Sequence, residues 1–161
     1  MLANKTLHWR FGIAAVSLSA AVAVYCLARY YPPALLVPLK ATQSIFTARP
    51  ELFGSLPSLF YVLAMGLLVG CCAATPAGAR LHCSLWIGLA LALEFTQHPL
   101  IAVPLSNWLP AILGDPAWTL LGPYWLRGSF DPLDLLATAG GGAIALAVLA
   151  YTQENEHEAI Q

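Results

Sequence analysis

Two short segments hold the residue types able to do chemistry. Glu94-Phe95-Thr96-Gln97 closes one long apolar run, and Arg127-Gly128-Ser129-Phe130-Asp131-Pro132-Leu133-Asp134 opens the next. They bring carboxylates at Glu94, Asp131 and Asp134, an amide at Gln97 and a guanidinium at Arg127. Thr138 adds a hydroxyl one turn beyond Asp134. A carboxylate in apolar surroundings can serve as a general base, and a guanidinium can hold an anionic phosphate. An ionisable side chain within a bilayer costs about 2.5–3.5 kcal/mol or more unless it is paired or wet. Something must justify these groups.

Part of the justification is structural. Asp131-Pro132-Leu133-Asp134 reads as a helix start, with a carboxylate N-cap, proline at the first helical position and an acid in the first turn. Capping therefore competes with function at Asp131, but it needs no second carboxylate at Asp134. Glu94 has no such excuse, because negative charge is disfavoured in the C-terminal half of a helix. Gln97 and His98 could satisfy backbone at a helix end, with His98 at the interface. Glu94, His98 and Asp134 do not form a recognised zinc spacing. No GxSxG, HExxH or P-loop is present. No metal and no cofactor is expected.

The elements that position these groups follow from composition. The chain has 161 residues, 59% of them hydrophobic and 9% charged, against about 25% charged in an ordinary soluble domain. Mean hydropathy is +0.71. This is an all-α integral membrane protein, read as one domain over 1–161. A net charge of −1 without a basic cluster leaves no footprint for nucleic acid. Cys26, Cys71, Cys72 and Cys83 form no CxxC pair and read as small apolar packing residues.

Four spans are expected, at about 11–29, 57–75, 81–97 and 133–151. Phe11–Ala28 is free of Asp, Glu, Lys and Arg, long enough to cross about 30 Å of hydrocarbon. It is longer than a usual signal-peptide core and lacks a small-residue cleavage pattern after it. Pro57 and Pro76-Ala77-Gly78 bracket the second span, whose Gly66 and Gly70 form a GxxxG suited to close helix contact. Ala139, Ala143 and Ala147 place small residues on one face of the fourth. The two longer connections, 29–56 and 98–132, fall on the same side. The second holds Trp108, Trp118, Tyr124 and Trp125, an interfacial belt with short re-entrant or surface-lying pieces such as 100–113.

With an even number of crossings both termini share one side, although the basic residues split three against four and do not set the orientation. Glu94 lies thirteen residues into the third span, about 20 Å along it, and Gln97 shares its face. Antiparallel neighbours bring Glu94, Gln97, Asp134 and Thr138 to one depth, with Arg127 as counter-charge. The expectation is a polar cup opening toward the two long connections.

These residues resemble the VanZ-like family of small bacterial membrane proteins. The resemblance rests on Glu94-Phe95-Thr96-Gln97, on Arg127 followed by Phe130-Asp131-Pro132-Leu133-Asp134, and on Thr138-Ala139-Gly140-Gly141. Leu56-Pro57-Ser58-Leu59-Phe60-Tyr61 is similar to that family's entry to the second span. It covers roughly Leu56–Leu149. Thr138 stands where the family commonly has Asn, and near Tyr61 the family often has His. The resemblance implies the bacterial cytoplasmic membrane, termini in the cytoplasm, a cup facing outward, and an association with glycopeptide (teicoplanin-type) resistance.

The expected partners are membrane lipids and either an envelope precursor or an amphiphilic antibiotic; self-association stays open. Three functions follow in order. The first is a binding or protective membrane protein using Glu94, Gln97, Arg127, Asp131, Asp134 and Thr138. The second is an intramembrane enzyme on a lipid-linked envelope precursor, with Glu94 or Asp134 as the catalytic base. The third is a proton-coupled transporter, for which the chain is small and lacks an inverted repeat.

Overall fold

An apolar run in hydrocarbon must satisfy its backbone internally, and a helix does so within one segment. The computed structural model describes residues 2–28, 50–128 and 130–158. Over these the chain forms α1 (Leu2–Ala28), α2 (Pro50–Cys71), α3 (Pro76–Thr96), α4 (Pro99–Arg127) and α5 (Pro132–Glu158). Most of the first long connection, with Arg29, Lys40 and Arg49, lies outside the described residues, as does the side chain of Cys26.

Thr6–Tyr25, Gly54–Cys71 and Pro132–Gln153 are long and apolar enough to cross a membrane. A fourth crossing is counted if α3 and α4, bent by 93° at their junction, are taken as one span. Contacts at the two ends show how far α3 reaches. At one end Arg10 Nε donates to Thr152 Oγ1 at 3.0 Å, and Gln153 Nε2 donates to the Pro76 carbonyl at 3.1 Å. At the other, Ser58 Oγ donates to Asp134 Oδ1 at 3.4 Å, and Glu94 and Asp134 feel each other's charge. Pro76 to Glu94 on α3 and Asp134 to Gln153 on α5 both measure about 27–28 Å at 1.5 Å per residue. α3 thus covers the same thickness as α5. The start of α1 and the end of α5 share one face.

Three expected boundaries move. α2 begins at Pro50 rather than Pro57, since a membrane helix tolerates one lost backbone bond when its neighbours compensate. It stops at Cys71, before Thr75, because Thr75 Oγ1 caps the next helix by accepting from Gly78 N at 3.1 Å. α3 then starts at Pro76, with proline in its first turn.

α2 packs against α1, α3 and α5. Ala14, Leu63, Ala64, Leu67, Cys83, Ala145 and Leu149 form the core, with Cys83 a fully buried packing residue. At Gly66 an added Cβ would lie 3.1 Å from Cys83 Sγ and 3.2 Å from Ala145 Cβ, so the GxxxG does bring helices together. At Gly141 a Cβ would overlap the Leu59 carbonyl oxygen, so α5 rides on the backbone of α2 there. The alanine face behaves otherwise. Ala139, Ala143 and Ala147 are exposed, and the packing face of α5 is Thr138, Gly141, Gly142, Ala145 and Leu149.

The second connection is far more helical than short pieces. α4 has 29 residues, and straight it would extend about 43 Å. Yet Trp125 Nε1 donates to Thr96 Oγ1 at 3.0 Å, and the Phe130 ring lies 5.0 Å from the His98 ring. The segment therefore folds back on itself. The break is Gly114, at φ 73° and ψ 164°, a backbone region almost confined to glycine. Two arms, 99–113 and 115–127, each about 20 Å long, form a hairpin on the end of the bundle that carries Glu94.

Candidate functional site

The α2–α3 hairpin sets up the site. Near its turn the two helices touch at Gly66–Cys83, while Gly70 sits close to Ala79. Further along, the side chains at the same level are Tyr61 and Trp86, with ring centroids 6.1 Å apart at 62°. Bulk replaces glycine, and a cavity of about 200 Å³ opens between the helices.

On α3 the lining is Trp86, Leu89, Ala90, Leu93 and Glu94. Those positions, at offsets of three, four, seven and eight, are one helical face. α2 contributes Ser58, Tyr61 and Val62, α5 contributes Thr138, and α4 brings Tyr124. Glu94 is two residues from the end of α3, whereas Trp86 lies about 12 Å deeper. Glu94 thus stands toward one end of the cavity and Trp86 toward the other.

The remaining expected residues divide clearly. Asp134 stands beside the cavity, bonded to Ser58 and electrostatically coupled to Glu94. Thr138, one turn deeper, is 1% exposed. Gln97 caps α3, and Tyr124 lines the cavity with Glu94. Asp131 is engaged as a cap, its Oδ1 accepting from Leu133 N at 2.9 Å. The side chain of Arg127 lies outside the described residues.

Sequence reasoning missed Trp86, Ser58 and Tyr124 as site residues, and met Tyr61 only as a point of resemblance. Trp86 sits in an unbroken apolar stretch, where a tryptophan reads as packing. Projecting the helical face of Glu94 back two turns would have found it. Trp86 Nε1 is buried with no hydrogen-bond partner among the described residues, a donor left over in the wall of a cavity.

The second arm of α4 lies beside the Glu94 end of the site. Trp118 stacks on Trp125 at 6.2 Å and 4°, and Tyr124 meets Trp125 edge-on at 5.3 Å. These rings pack within the second arm of α4, and the Trp125–Thr96 bond ties that arm to the end of α3. Tyr124 is thereby held against the cavity.

No protein-family model, curated protein or solved structure matches the chain. What stands is a helical, multi-pass membrane architecture with a largely apolar cavity that Glu94 and Thr138 also line.

Proposed function

We propose that this is a membrane binding protein whose cup receives the polar end of an amphiphile from the adjoining leaflet. One observation carries the reading: side chains from four separate helices, among them Glu94, Thr138 and Tyr124, converge on a single cavity. Its volume of about 200 Å³ is below the about 300–1,000 Å³ of sites that engulf a drug-sized ligand. A headgroup or terminal fragment fits, and the rest of the molecule stays in the bilayer.

The VanZ-like resemblance gives this reading its biological direction. On this reading the cup faces the extracytoplasmic side of a bacterial cytoplasmic membrane and serves envelope components or teicoplanin-type resistance. The test is expression of the protein and of Glu94→Gln and Asp134→Asn in a susceptible bacterial host, at matched membrane levels. The wild type raises the inhibitory concentration of a teicoplanin-type glycopeptide and the variants do not. Equal protection by all three, or none by the wild type, removes the resistance reading.

A second reading rests on Glu94 lining the cavity together with Ser58, which donates to Asp134 at 3.4 Å. Two such carboxylates suit general acid–base work on a lipid-linked envelope precursor. Conversion of such a precursor by purified protein, abolished in Glu94→Gln, separates catalysis from binding.

A further inference from the structure

We infer that the cup recognises a substituted ammonium group, an organic cation carried on a lipid headgroup or on a soluble amine. This rests on the reading of the cup as a ligand site and adds the chemical class of the ligand. The cavity combines one carboxylate, Glu94, with three aromatic side chains, Tyr61, Trp86 and Tyr124. No lysine or arginine is among its lining side chains in the described residues. Asp134 stands beside the cavity, accepting from its lining Ser58 at 3.4 Å.

A phosphate would meet the Glu94 carboxylate in the cavity. An uncharged sugar would leave the carboxylate desolvated without compensation, which is costly. An alkylammonium satisfies both parts at once. The carboxylate balances its charge, and the faces of tryptophan and tyrosine attract cations within about 6 Å of the ring centroid. Tyr61 and Trp86, at 6.1 Å and 62° to each other, form two walls of such a cage. The unpartnered Trp86 Nε1 can donate to an oxygen near the ammonium, such as a hydroxyl or ester.

The experiment uses full-length protein in dodecyl maltoside micelles, titrated with dodecyltrimethylammonium, tetramethylammonium and dodecyl sulfate. The readout is tryptophan fluorescence, with Trp86→Phe identifying the signal from the cup. The expected result is a saturable, Trp86-dependent change with dodecyltrimethylammonium. Glu94→Gln weakens it at least about tenfold, a fraction of the Coulomb term for a close pair. Tyr61→Leu weakens it about two- to fivefold, while Tyr61→Phe keeps it, which marks a ring contribution rather than a folding defect.

Tetramethylammonium binding comparably assigns the cup to soluble amines, and binding only of the long-chain cation assigns it to headgroups; both support the proposal. Trp86-dependent binding of dodecyl sulfate in preference to the cation overturns it and leaves the cup a ligand site. No Trp86-dependent signal with any probe overturns the proposal and counts against the binding reading too, whereas a cation signal unaffected by Glu94→Gln overturns the proposal alone.

Discussion

Gly141→Ala should separate α5 from α2 and disturb the cup, whereas Gly140→Ala, one residue away, should not. At Gly141 the new Cβ would overlap the Leu59 carbonyl oxygen and lie 3.0 Å from the carbonyl carbon. Both are backbone atoms, so no rotamer change relieves the clash and the helices must move. Overpacking of this kind costs about 1–3 kcal/mol, with a rigid backbone partner near the upper end. Alanine returns about 0.8–1 kcal/mol of helix propensity, leaving a net loss of about 1–2 kcal/mol. At Gly140 the nearest atom to the new Cβ is the flexible Leu59 Cδ1, at 4.0 Å. Only the propensity gain remains there, so the two variants should differ by about 2–3 kcal/mol.

Unfolding in mixed micelles, titrated with sodium dodecyl sulfate, measures that difference. Since Asp134 and Thr138 stand two turns and one turn before Gly141, the same variant should weaken any binding in the cup. Near-equal stability of the two alanine variants would refute the close approach of α2 and α5 and the cavity geometry built on it.

Gly114→Ala places a Cβ at φ 73°, which costs about 1–3 kcal/mol; faster hydrogen exchange should be confined to 99–127 while the bundle stays protected. Trp125→Phe removes the bond to Thr96 and should loosen the second arm of α4 by about 0.5–1.5 kcal/mol, read by exchange at 115–127. Asp131→Ala should cost about 0.5–2 kcal/mol through the lost cap, with Asp131→Asn near wild type in stability and in ligand response. Asp134→Asn should keep stability yet alter ligand response, and identical behaviour of the two asparagine variants would dissolve the division between cap and site.

Much of this architecture was legible because a bilayer narrows the choices. Charge-free runs of span length can only be helices there, and carboxylates at Glu94 and Asp134 stand out against them. Antiparallel packing then put both at one depth. Illegible were features set by contact rather than composition. α4 carries Pro104, Pro110, Pro116 and Pro123, which read as breaks in a loop, yet the chain stays helical through them and folds only at Gly114. On α5 the alanine stripe stays exposed, and the glycines beside it allow the closer approach that makes the interface. Gln97 and Asp131 stand at helix ends, and the partner of Asp131, Leu133 N, depends on local geometry.

The cavity itself follows from how residue size is distributed along one hairpin. α2 and α3 leave a tight turn pressed together where Gly66 faces Cys83 and where Gly70 approaches Ala79. Two antiparallel helices held that closely at one end must either stay in contact or diverge. Tyr61 and Trp86 force divergence, because two large rings cannot share the space that one glycine and one cysteine fill. α5 does not close the gap, since its glycines hold it against Leu59 on one side and Ile87 on the other. Glu94 and Tyr124 line the gap, and a carboxylate there is hydrated only while the gap remains. Filling it, for example with Ala90→Leu, should therefore stabilise the apolar packing and strip water from Glu94 together. A variant with raised stability and undiminished ligand response would mean that the ligand does not enter between α2 and α3.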